Sequence, residues 1–394
     1  MSAMSRNYYI FSNGRIKREQ NTLYLETAEG RRPVPIEDVD GLYALGELDL
    51  NTKLLNFLTR RKVPLHVFNY YGYYAGSYYP REYLNSGFLL VKQVEHYSDP
   101  AKRLVLAGEL VRGAAHSIER TLAYYQRRKG AEAEESERTA GDIEGGADRL
   151  EADIEEEADG LERISKPEDE IQEDALPEIS AAPDELRGAL EYIADLAAKI
   201  GNIQAVDELR GIEGKIRESY YGGWRYILRE GPGIEFEKRV RRPPDNMVNS
   251  LISFGNGMIY AACLTEIYRT QLTPTISYLH EPGARRYSLA LDLSEIFKPI
   301  IVDRVIFTLL NTNQLQEKHF RIVGASEDSP GACYLAEEGR RIFVKAFEEK
   351  MQTTLYHRRL KRHVSYQRLI RLECYRLIRH LSDDEPYRAF RAWW

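Results

Sequence analysis

The spacing of apolar residues changes from strand-like to helix-like after about residue 90. Before that point, short apolar and aromatic runs at residues 8–11 and 22–27 are separated by the turn-forming residues 12–14. Runs of this length and composition, bounded by Asn and Gly, are typical of β-strands. We therefore predict a small β-rich domain over residues 1–90, with a β-sandwich-like arrangement.

From residue 99 the apolar positions recur at helical spacing. Asp99 is suited to cap a helix, and Pro100 is suited to its first position. An apolar residue then returns every fourth position, which is typical of a helix with one buried face; these residues are Leu106, Leu110, Ala114, Ile118 and Leu122. The pattern predicts a larger, mainly α-helical domain over residues 91–394, and an α+β fold class for the chain.

One acidic segment interrupts the helical pattern. Residues 131–180 hold 20 Asp and Glu against 4 Lys and Arg, which leaves 51 basic and 41 acidic residues in the rest of the chain. A segment rich in Glu, Asp, Gly and Ala buries too little apolar surface to offset its ordering entropy. We expect residues 131–182 to be a disordered insertion, and the net charge of −6 to hide a basic body that suits polyanionic partners.

The composition narrows the class of protein further. At 394 residues the chain is long enough for two domains, and it has no run of about 18 apolar residues. No apolar signal core follows the first residues. Three scattered cysteines, Cys263, Cys333 and Cys374, fit neither a disulfide framework nor a zinc ribbon. We expect a cytoplasmic protein without a membrane segment.

Six tyrosines crowd into ten residues around Gly72 and Gly76. They are Tyr70, Tyr71, Tyr73, Tyr74, Tyr78 and Tyr79. Tyrosine packs well on pleated sheets and at interfaces, and it also stacks on nucleic-acid bases. Packing is the favoured interpretation, because no Arg or Lys lies among these tyrosines.

Four residues carry candidate chemistry. Asp292 and Glu295 are three positions apart at the start of a helical pattern, so both can face one side among apolar neighbours. A carboxylate in such surroundings needs a partner, either a metal ion or a helix N-terminus. His280 precedes a turn, and Glu213 lies between Gly211 and Gly214. Each residue by itself fits a structural role at least as well, and their spacing matches no local metal motif.

Longer motifs indicate a function that the spacing of these four residues does not. The chain resembles the CRISPR-associated adaptation integrases, which are metal-dependent nuclease-integrases that insert new spacers. The resemblance covers essentially the whole chain except the acidic segment. The motifs that carry it are LRGIEG at 209–214, RVRRPPDNMVNSLISFG at 239–255, LHEP at 279–282, SLALDL at 288–293 and IVDR at 301–304, with HVFNYYG at 66–72 and YRAF at 387–390.

The resemblance implies a catalytic metal site. The family's ligands fall on Glu213, His280 and Glu295, with Asp292 as a possible auxiliary acidic position. Many members have Asp where this chain has Glu295, and an aromatic residue where it has Asn256. Two carboxylates and one imidazole suit Mg²⁺ or Mn²⁺.

A basic stretch lies between the glutamate and the histidine of this site. Arg239, Arg241 and Arg242 are expected to contact DNA phosphates, which positions DNA without reading its sequence. Asn249 and Ser253, one helical turn apart, are further candidates for DNA contact or for supporting the site.

The implied function is integration of spacer DNA into a CRISPR array. In the family's reaction a DNA 3′-hydroxyl attacks a phosphodiester, so the enzyme is an endonuclease and integrase that needs no covalent intermediate. The resemblance also implies a homodimer joined partly through the β-rich domain, DNA partners (spacer precursor and CRISPR repeat), and a second CRISPR adaptation protein as a bridging partner. The alternatives are a DNA-binding scaffold with a degenerate metal site, and a helical interaction protein without DNA affinity.

Overall fold

The computed structural model describes residues 6–34, 36–144, 184–241, 243–282, 287–324 and 331–393. Within these ranges strands dominate the first part of the chain and helices most of the remainder, which confirms the predicted α+β class. The elements of the first part are β1 (Arg6–Ile10), β2 (Gly14–Glu19), β3 (Thr22–Thr27), β4 (Gly30–Val34), β5 (Val39–Ala44), β6 (Leu48–Asp49), α1 (Thr52–Arg61), β7 (Leu65–Phe68) and β8 (Tyr74–Tyr78).

These strands form two four-stranded sheets, in the orders β1-β5-β7-β8 and β4-β3-β2-β6. In the first sheet β5 pairs in parallel with β1 and β7, and β8 returns antiparallel to β7. In the second, β2, β3 and β4 form an antiparallel meander. Leu23 and Leu25 alternate with half-buried residues along β3 and join Leu42 of the other sheet and Leu54 of α1 in one core.

Helices make up most of the second part. Its elements are α2 (Gly87–Ser98), α3 (Pro100–Glu144), α4 (Asp184–Lys199), α5 (Val206–Ile227), α6 (Met247–Tyr268), α7 (Ser288–Phe297), α8 (Arg304–Asn311), β9 (Phe320–Val323), β10 (Ala332–Leu335), α9 (Glu337–Gln352), β11 (Thr354–His357), β12 (Arg362–Ser365) and α10 (Tyr366–Leu381). The strands of this part pair as two antiparallel hairpins, β9 with β10 and β11 with β12.

The central element is α6, which lies in the core. Its N-terminus is capped by Asn246, whose side chain accepts the backbone N–H of Asn249 at 2.8 Å. By length and composition alone this helix could cross a membrane, but 78% of its apolar window is buried inside the structure. The helix is therefore apolar because protein surrounds it on most sides.

A π-helical stretch, Pro299–Asp303, joins α7 to α8. The wider turn inserts extra residues between two helices that would otherwise be continuous, and such insertions occur often at functional sites. It follows Lys298 directly and ends at Asp303, and both side chains are buried.

The expected start of the acidic insertion is wrong. We predicted disorder from residue 131, whereas α3 continues to Glu144. Residues 131–144 are rich in Ala and Glu, which are strong helix formers, and extending an existing helix needs no new nucleus. The remainder of the predicted insertion, 145–182, lies outside the described residues.

Candidate active site

His280 and Asp292 are joined by hydrogen bonds between a loop and α7. Asp292 is fully buried, and its Oδ2 accepts the backbone N–H groups of Tyr278 (2.8 Å) and Leu279 (3.0 Å). Its Oδ1 accepts the backbone N–H of His280 (3.1 Å) and lies 2.8 Å from Nδ1 of the same residue. A carboxylate only accepts hydrogen bonds, so we assign the ring proton to Nδ1.

Asp292 is thus a positioning residue for His280. Both of its oxygens are engaged by the loop, and they fix the orientation of the imidazole ring. With Nδ1 protonated, Nε2 is the nitrogen that has a lone pair to offer a ligand. The auxiliary acidic position predicted at Asp292 therefore acts on the site through the histidine.

Glu213 on α5 and Glu295 on α7 meet at the guanidinium of Arg217. Nε of Arg217 donates to Oε1 of Glu213, and Nη2 contacts Oε2 of Glu295. The other oxygen of Glu295 accepts from Nζ of Lys298 at 2.7 Å. The fold thus brings together two carboxylates that are 82 positions apart in the sequence.

The electrostatics connect His280 to the same cluster. Burial raises the pKa of Glu213, but the charges of Arg217, His280 and Lys298 together lower it below its usual value. Electrostatic influence falls with distance, so the imidazole of His280 lies in the vicinity of the Glu213 carboxylate. Arg217 thus joins Glu213 and Glu295 directly, and His280 is within electrostatic range of Glu213.

Two further groups in this region titrate far from their usual range. Burial, followed by the charge of Arg217, lowers the pKa of Lys298 to about 7. Burial raises the pKa of Asp303 to about 7, although Tyr220 Oη donates a hydrogen bond to its Oδ2 at 3.0 Å. Desolvated groups that also interact with specific charges are characteristic of functional sites.

The donor set suits a hard divalent cation. Two carboxylates and one imidazole nitrogen are ligands that Mg²⁺ and Mn²⁺ accept. Among the residues that the structure describes, however, no group of three acidic, His or Cys side chains is already arranged as a metal site. Arg217 and Lys298 instead place their positive charges against Glu213 and Glu295.

The predicted DNA-contacting residues divide into two groups. Asn249 is fully buried; its side chain accepts from Arg239 Nη1 (2.9 Å) and donates to the Lys238 carbonyl (3.0 Å). Arg239 Nη2 also donates to Ser253 Oγ at 2.9 Å. Of the two roles predicted for Asn249, DNA contact or support of the site, the buried side chain fits support, because it fastens the basic segment to α6.

DNA contact at Arg241 stays a prediction. Its side chain is exposed, and its charge contributes to the lowered pKa of Lys298, which places it within electrostatic range of the site. Arg242 lies outside the described residues. An exposed cation beside the carboxylates is in a position to meet a phosphate that approaches them.

Sequence reasoning missed Arg217, Lys298 and Asp303. A local signal existed for the first two: Arg217 is four positions after Glu213, and Lys298 is three after Glu295, so each shares a helix face with its carboxylate. Asp303 has no such signal, because its partner Tyr220 is 83 positions away.

The chain matches the family model described as CRISPR associated protein Cas1, over residues 8–175 and 170–349. A protein named CRISPR-associated endonuclease Cas1 2 from Moorella thermoacetica is 45% identical over 389 residues, covering 99% of this chain and all of that protein. The solved structure of a CAS1 protein from Thermotoga maritima is 35% identical, covers 97% of this chain and 98% of its own, and superposes with a TM-score of 0.73.

Two more distant structures share the fold. A casposase bound to integration product is 18% identical, covers 98% of this chain and 93% of its own, and has a TM-score of 0.74. A Cas6-RT-Cas1–Cas2 complex is 16% identical, covers 99% of this chain and 36% of that chain, and has a TM-score of 0.73. The family match and the full-length relatives settle the classification. This chain belongs to the Cas1 family of CRISPR-associated proteins.

Proposed function

We propose that this protein is a metal-dependent DNA endonuclease and integrase that inserts spacer DNA into a CRISPR array. The observation that carries the proposal is that Arg217 joins Glu213 to Glu295, 82 positions away in the sequence, with His280 within electrostatic range of Glu213. It is supported by the 45% identical relative that is named an endonuclease.

The proposed site uses Glu213, Glu295 and Nε2 of His280 as ligands for Mg²⁺ or Mn²⁺. A divalent cation held there supplies Lewis-acid stabilisation of the phosphoryl oxygen and of the oxygens that enter and leave. Asp292 holds the imidazole in the required tautomer, and Arg241 binds a backbone phosphate of the DNA. The chain itself thus contributes mainly positioning, which is a large share of phosphoryl-transfer catalysis.

Arg217 and Lys298 keep the site stable without a metal ion. Buried carboxylates without partners would be strongly destabilising, and these two cations neutralise them. With a divalent cation on the two carboxylates, Arg217 would no longer be needed as their counter-ion and would be available to a phosphate of the DNA substrate. We expect Arg217→Gln to bind Mn²⁺ more tightly in the absence of DNA and to show a larger Mn²⁺-induced rise in Tm than the wild type. An unchanged Mn²⁺ affinity in this variant would contradict the counter-ion role.

The proposed partners are DNA, a second copy of this chain and a second CRISPR adaptation protein. DNA here means the spacer precursor and the CRISPR repeat. The fold is shared with a chain of a Cas6-RT-Cas1–Cas2 complex and with a casposase bound to integration product. Dimerisation through the β-rich domain and a cytoplasmic location complete the proposal.

The proposal is tested by integration of a short duplex into a repeat-bearing plasmid, with the second adaptation protein and Mn²⁺ or Mg²⁺ supplied. Glu213→Ala, His280→Ala and Glu295→Ala are each expected to abolish strand transfer while the protein stays folded. Glu218→Ala, an exposed carboxylate on the same helix as Glu213, is the matched control and should retain activity.

The same assay with EDTA distinguishes an enzyme from a scaffold. A metal-dependent integrase loses its product in EDTA and regains it when excess Mn²⁺ is added. DNA binding without any metal-stimulated product would favour the scaffold, in which Arg217 and Lys298 permanently occupy the site.

A further inference from the structure

The loop that carries His280 is held from two sides. On its inner side, Asp292 of α7 accepts the three backbone N–H groups of residues 278–280. On its outer side, Arg103 of α3 donates from Nε to the Tyr278 carbonyl at 2.9 Å. Both anchors act on the backbone within two residues of His280, so they restrict where its imidazole ring can lie.

Glu281, which directly follows His280, gathers groups from three helices. Its Oε1 accepts a hydrogen bond from Arg103 Nη2 at 2.8 Å, and its Oε2 accepts one from Tyr97 Oη of α2 at 3.0 Å. Arg210 Nη2 of α5 forms an ion pair with Oε1 at 3.7 Å. One carboxylate therefore connects the His280 loop to α2, α3 and α5.

The contact between Arg103 and Glu281 has a fixed geometry. An isolated ion pair at the surface contributes little, because solvent screens it and two side chains must be ordered. The Arg103 side chain, however, is only 15% exposed, and its guanidinium lies 4.5 Å from the ring centroid of Tyr97. A planar guanidinium that is already stacked on a ring loses less freedom when it binds a carboxylate and a carbonyl together. The half-exposed Glu281 is therefore held by a preorganised partner.

Arg210 extends this connection to the other side of the candidate site. It lies three positions before Glu213 on α5, so the two side chains share a helix face. The pair between Arg210 and Glu281 thus joins the helix that carries Glu213 to the loop that carries His280, across 71 positions of sequence. Asp292 fixes His280 relative to α7, whereas Glu281 fixes it relative to α5.

We propose that Glu281 is a positioning residue, which sets the place of His280 relative to Glu213 through Arg103 and Arg210. The proposal rests on the proposed function for the role of His280 and Glu213 as metal ligands. The contacts themselves are made without a metal ion. Partners that orient ligands from outside the ligand set typically change metal affinity by about 10- to 100-fold.

The first measurement is amide hydrogen exchange of residues 278–280 in EDTA, read by mass spectrometry. Glu281→Gln keeps the shape of the side chain and removes its charge, so the loop should open more often and these amides should exchange about fivefold faster. Glu95→Gln is the matched control, because Glu95 pairs with Lys92 and its side chain is 46% exposed, against 49% for Glu281. The control should leave the exchange unchanged.

The second measurement is Mn²⁺ binding without DNA, by electron paramagnetic resonance. Glu281→Gln should bind Mn²⁺ about tenfold more weakly, and pulsed spectra should show a smaller nitrogen coupling from the His280 imidazole. A residue that only stabilised the loop would change the exchange and neither of these readouts. The double variant Arg210→Gln/Glu281→Gln should bind Mn²⁺ no more weakly than Glu281→Gln, because the same ion pair is already lost.

Four results would overturn the proposal. They are unchanged exchange in Glu281→Gln, faster exchange with unchanged Mn²⁺ affinity and nitrogen coupling, an equal loss in Glu95→Gln, and additive losses in the double variant. Failure of the proposed function has a different signature, namely a wild-type protein that binds no Mn²⁺. In that case the exchange measurement in EDTA decides by itself whether Glu281 places the loop.

Discussion

Two buried charge clusters in this protein are built from the same residue types and behave differently. One is the candidate active site around Glu213, Glu295 and Arg217. The other lies between the β-rich part and the helical part, where Glu266 accepts from Gln367 Nε2 (2.9 Å) and from Arg371 Nε. Both clusters pair carboxylates with arginine at positions where bare charge would be costly.

The second cluster extends across the boundary between the two parts. Gln367 Nε2 also donates to Asp40 Oδ2 at 3.0 Å, and Asp40 pairs with Arg269. Burial lowers the pKa of Arg371, but Glu266 more than reverses this, so the net change is upward. These groups stabilise one another in their charged forms and join β5 to α6 and α10.

In the active-site cluster the cations crowd one another. Arg217 and Lys298 share the oxygens of Glu295, and the pKa of Lys298 falls to about 7 because burial and a neighbouring guanidinium both disfavour its charge. The comparison teaches that ion pairing alone does not identify a catalytic site. What distinguishes the site is a pair of buried cations that disfavour each other's charge.

The largest expected effect is a loss of strand-transfer activity when the candidate active site is altered. Glu213→Gln keeps the shape of the side chain but removes a proposed ligand, so strand transfer should fall by about a thousandfold or more. The measurement is single-turnover integration, with circular dichroism to show that the variant is folded. Retention of near-normal rates would remove Glu213 from the site.

At the cluster around Glu266 we expect substitution to lower stability. Glu266→Gln leaves the Arg371 charge without its partner, and we expect a loss of about 3 kcal/mol in the free energy of unfolding. Urea denaturation measures this loss. Asp195→Ala, which breaks an exposed ion pair with Lys199, serves as the control and should cost less than about 0.5 kcal/mol. A similarly small effect at Glu266 would mean that the interdomain cluster contributes little to stability.

Asp292→Asn sharpens the comparison, because Asp292 is buried and acts through another residue. The amide cannot accept all four hydrogen bonds that the carboxylate accepts, so the His280 ring loses its fixed tautomer. Loss of such an orienting partner typically weakens metal binding by about 10- to 100-fold. Electron paramagnetic resonance of bound Mn²⁺ measures the affinity directly. An unchanged affinity would reduce Asp292 to a loop anchor.

The smallest expected effect is on the pH dependence of stability. The pKa of Asp303 is raised by burial from 3.8 to about 7, so between about pH 4 and 7 the folded state binds more protons at this residue than the unfolded state. Its contribution to stability is therefore present at low pH and is lost as the pH rises through about 7, by roughly 1 kcal/mol per pH unit at most. Asp303→Asn should remove this dependence, which urea denaturation at pH 5 and pH 7.5 would reveal. Equal pH profiles for variant and wild type would contradict the assignment.

Local pattern was sufficient to predict much of the fold. The predicted stripe on α3 is buried, with Leu106, Leu110, Ala114, Ile118 and Leu122 all inside the core. The order of a strand-rich part and a helical part is confirmed as well. These features depend on residues within a few positions of one another. We placed the end of α3 too early, before residue 131 and not at Glu144. A highly charged segment of strong helix formers has the composition of a disordered segment and also a high helix propensity.

The tyrosine-rich stretch shows where local reasoning fails. We favoured packing because no Arg or Lys lies among the six tyrosines, and Tyr74 and Tyr78 do bond within the fold, to Ser77 and Thr59. Arg321, however, reaches Tyr70 from 251 positions away. A charged residue that only tertiary folding brings close, such as Arg321, cannot be inferred from the sequence around the tyrosines.

The sequence by itself determined the family and the order of the two parts, because these depend on motifs and short-range periodicity. It also predicted Glu213, His280 and Glu295 as the site. The tertiary structure alone decided that Arg217 lies between two distant carboxylates, that Asp292 orients His280 and that Asn249 is buried. The physical reason is the same in each case. Desolvation and charge pairing depend on distances in space, and in this chain those distances join residues that are separated along the sequence and brought together only by helix packing.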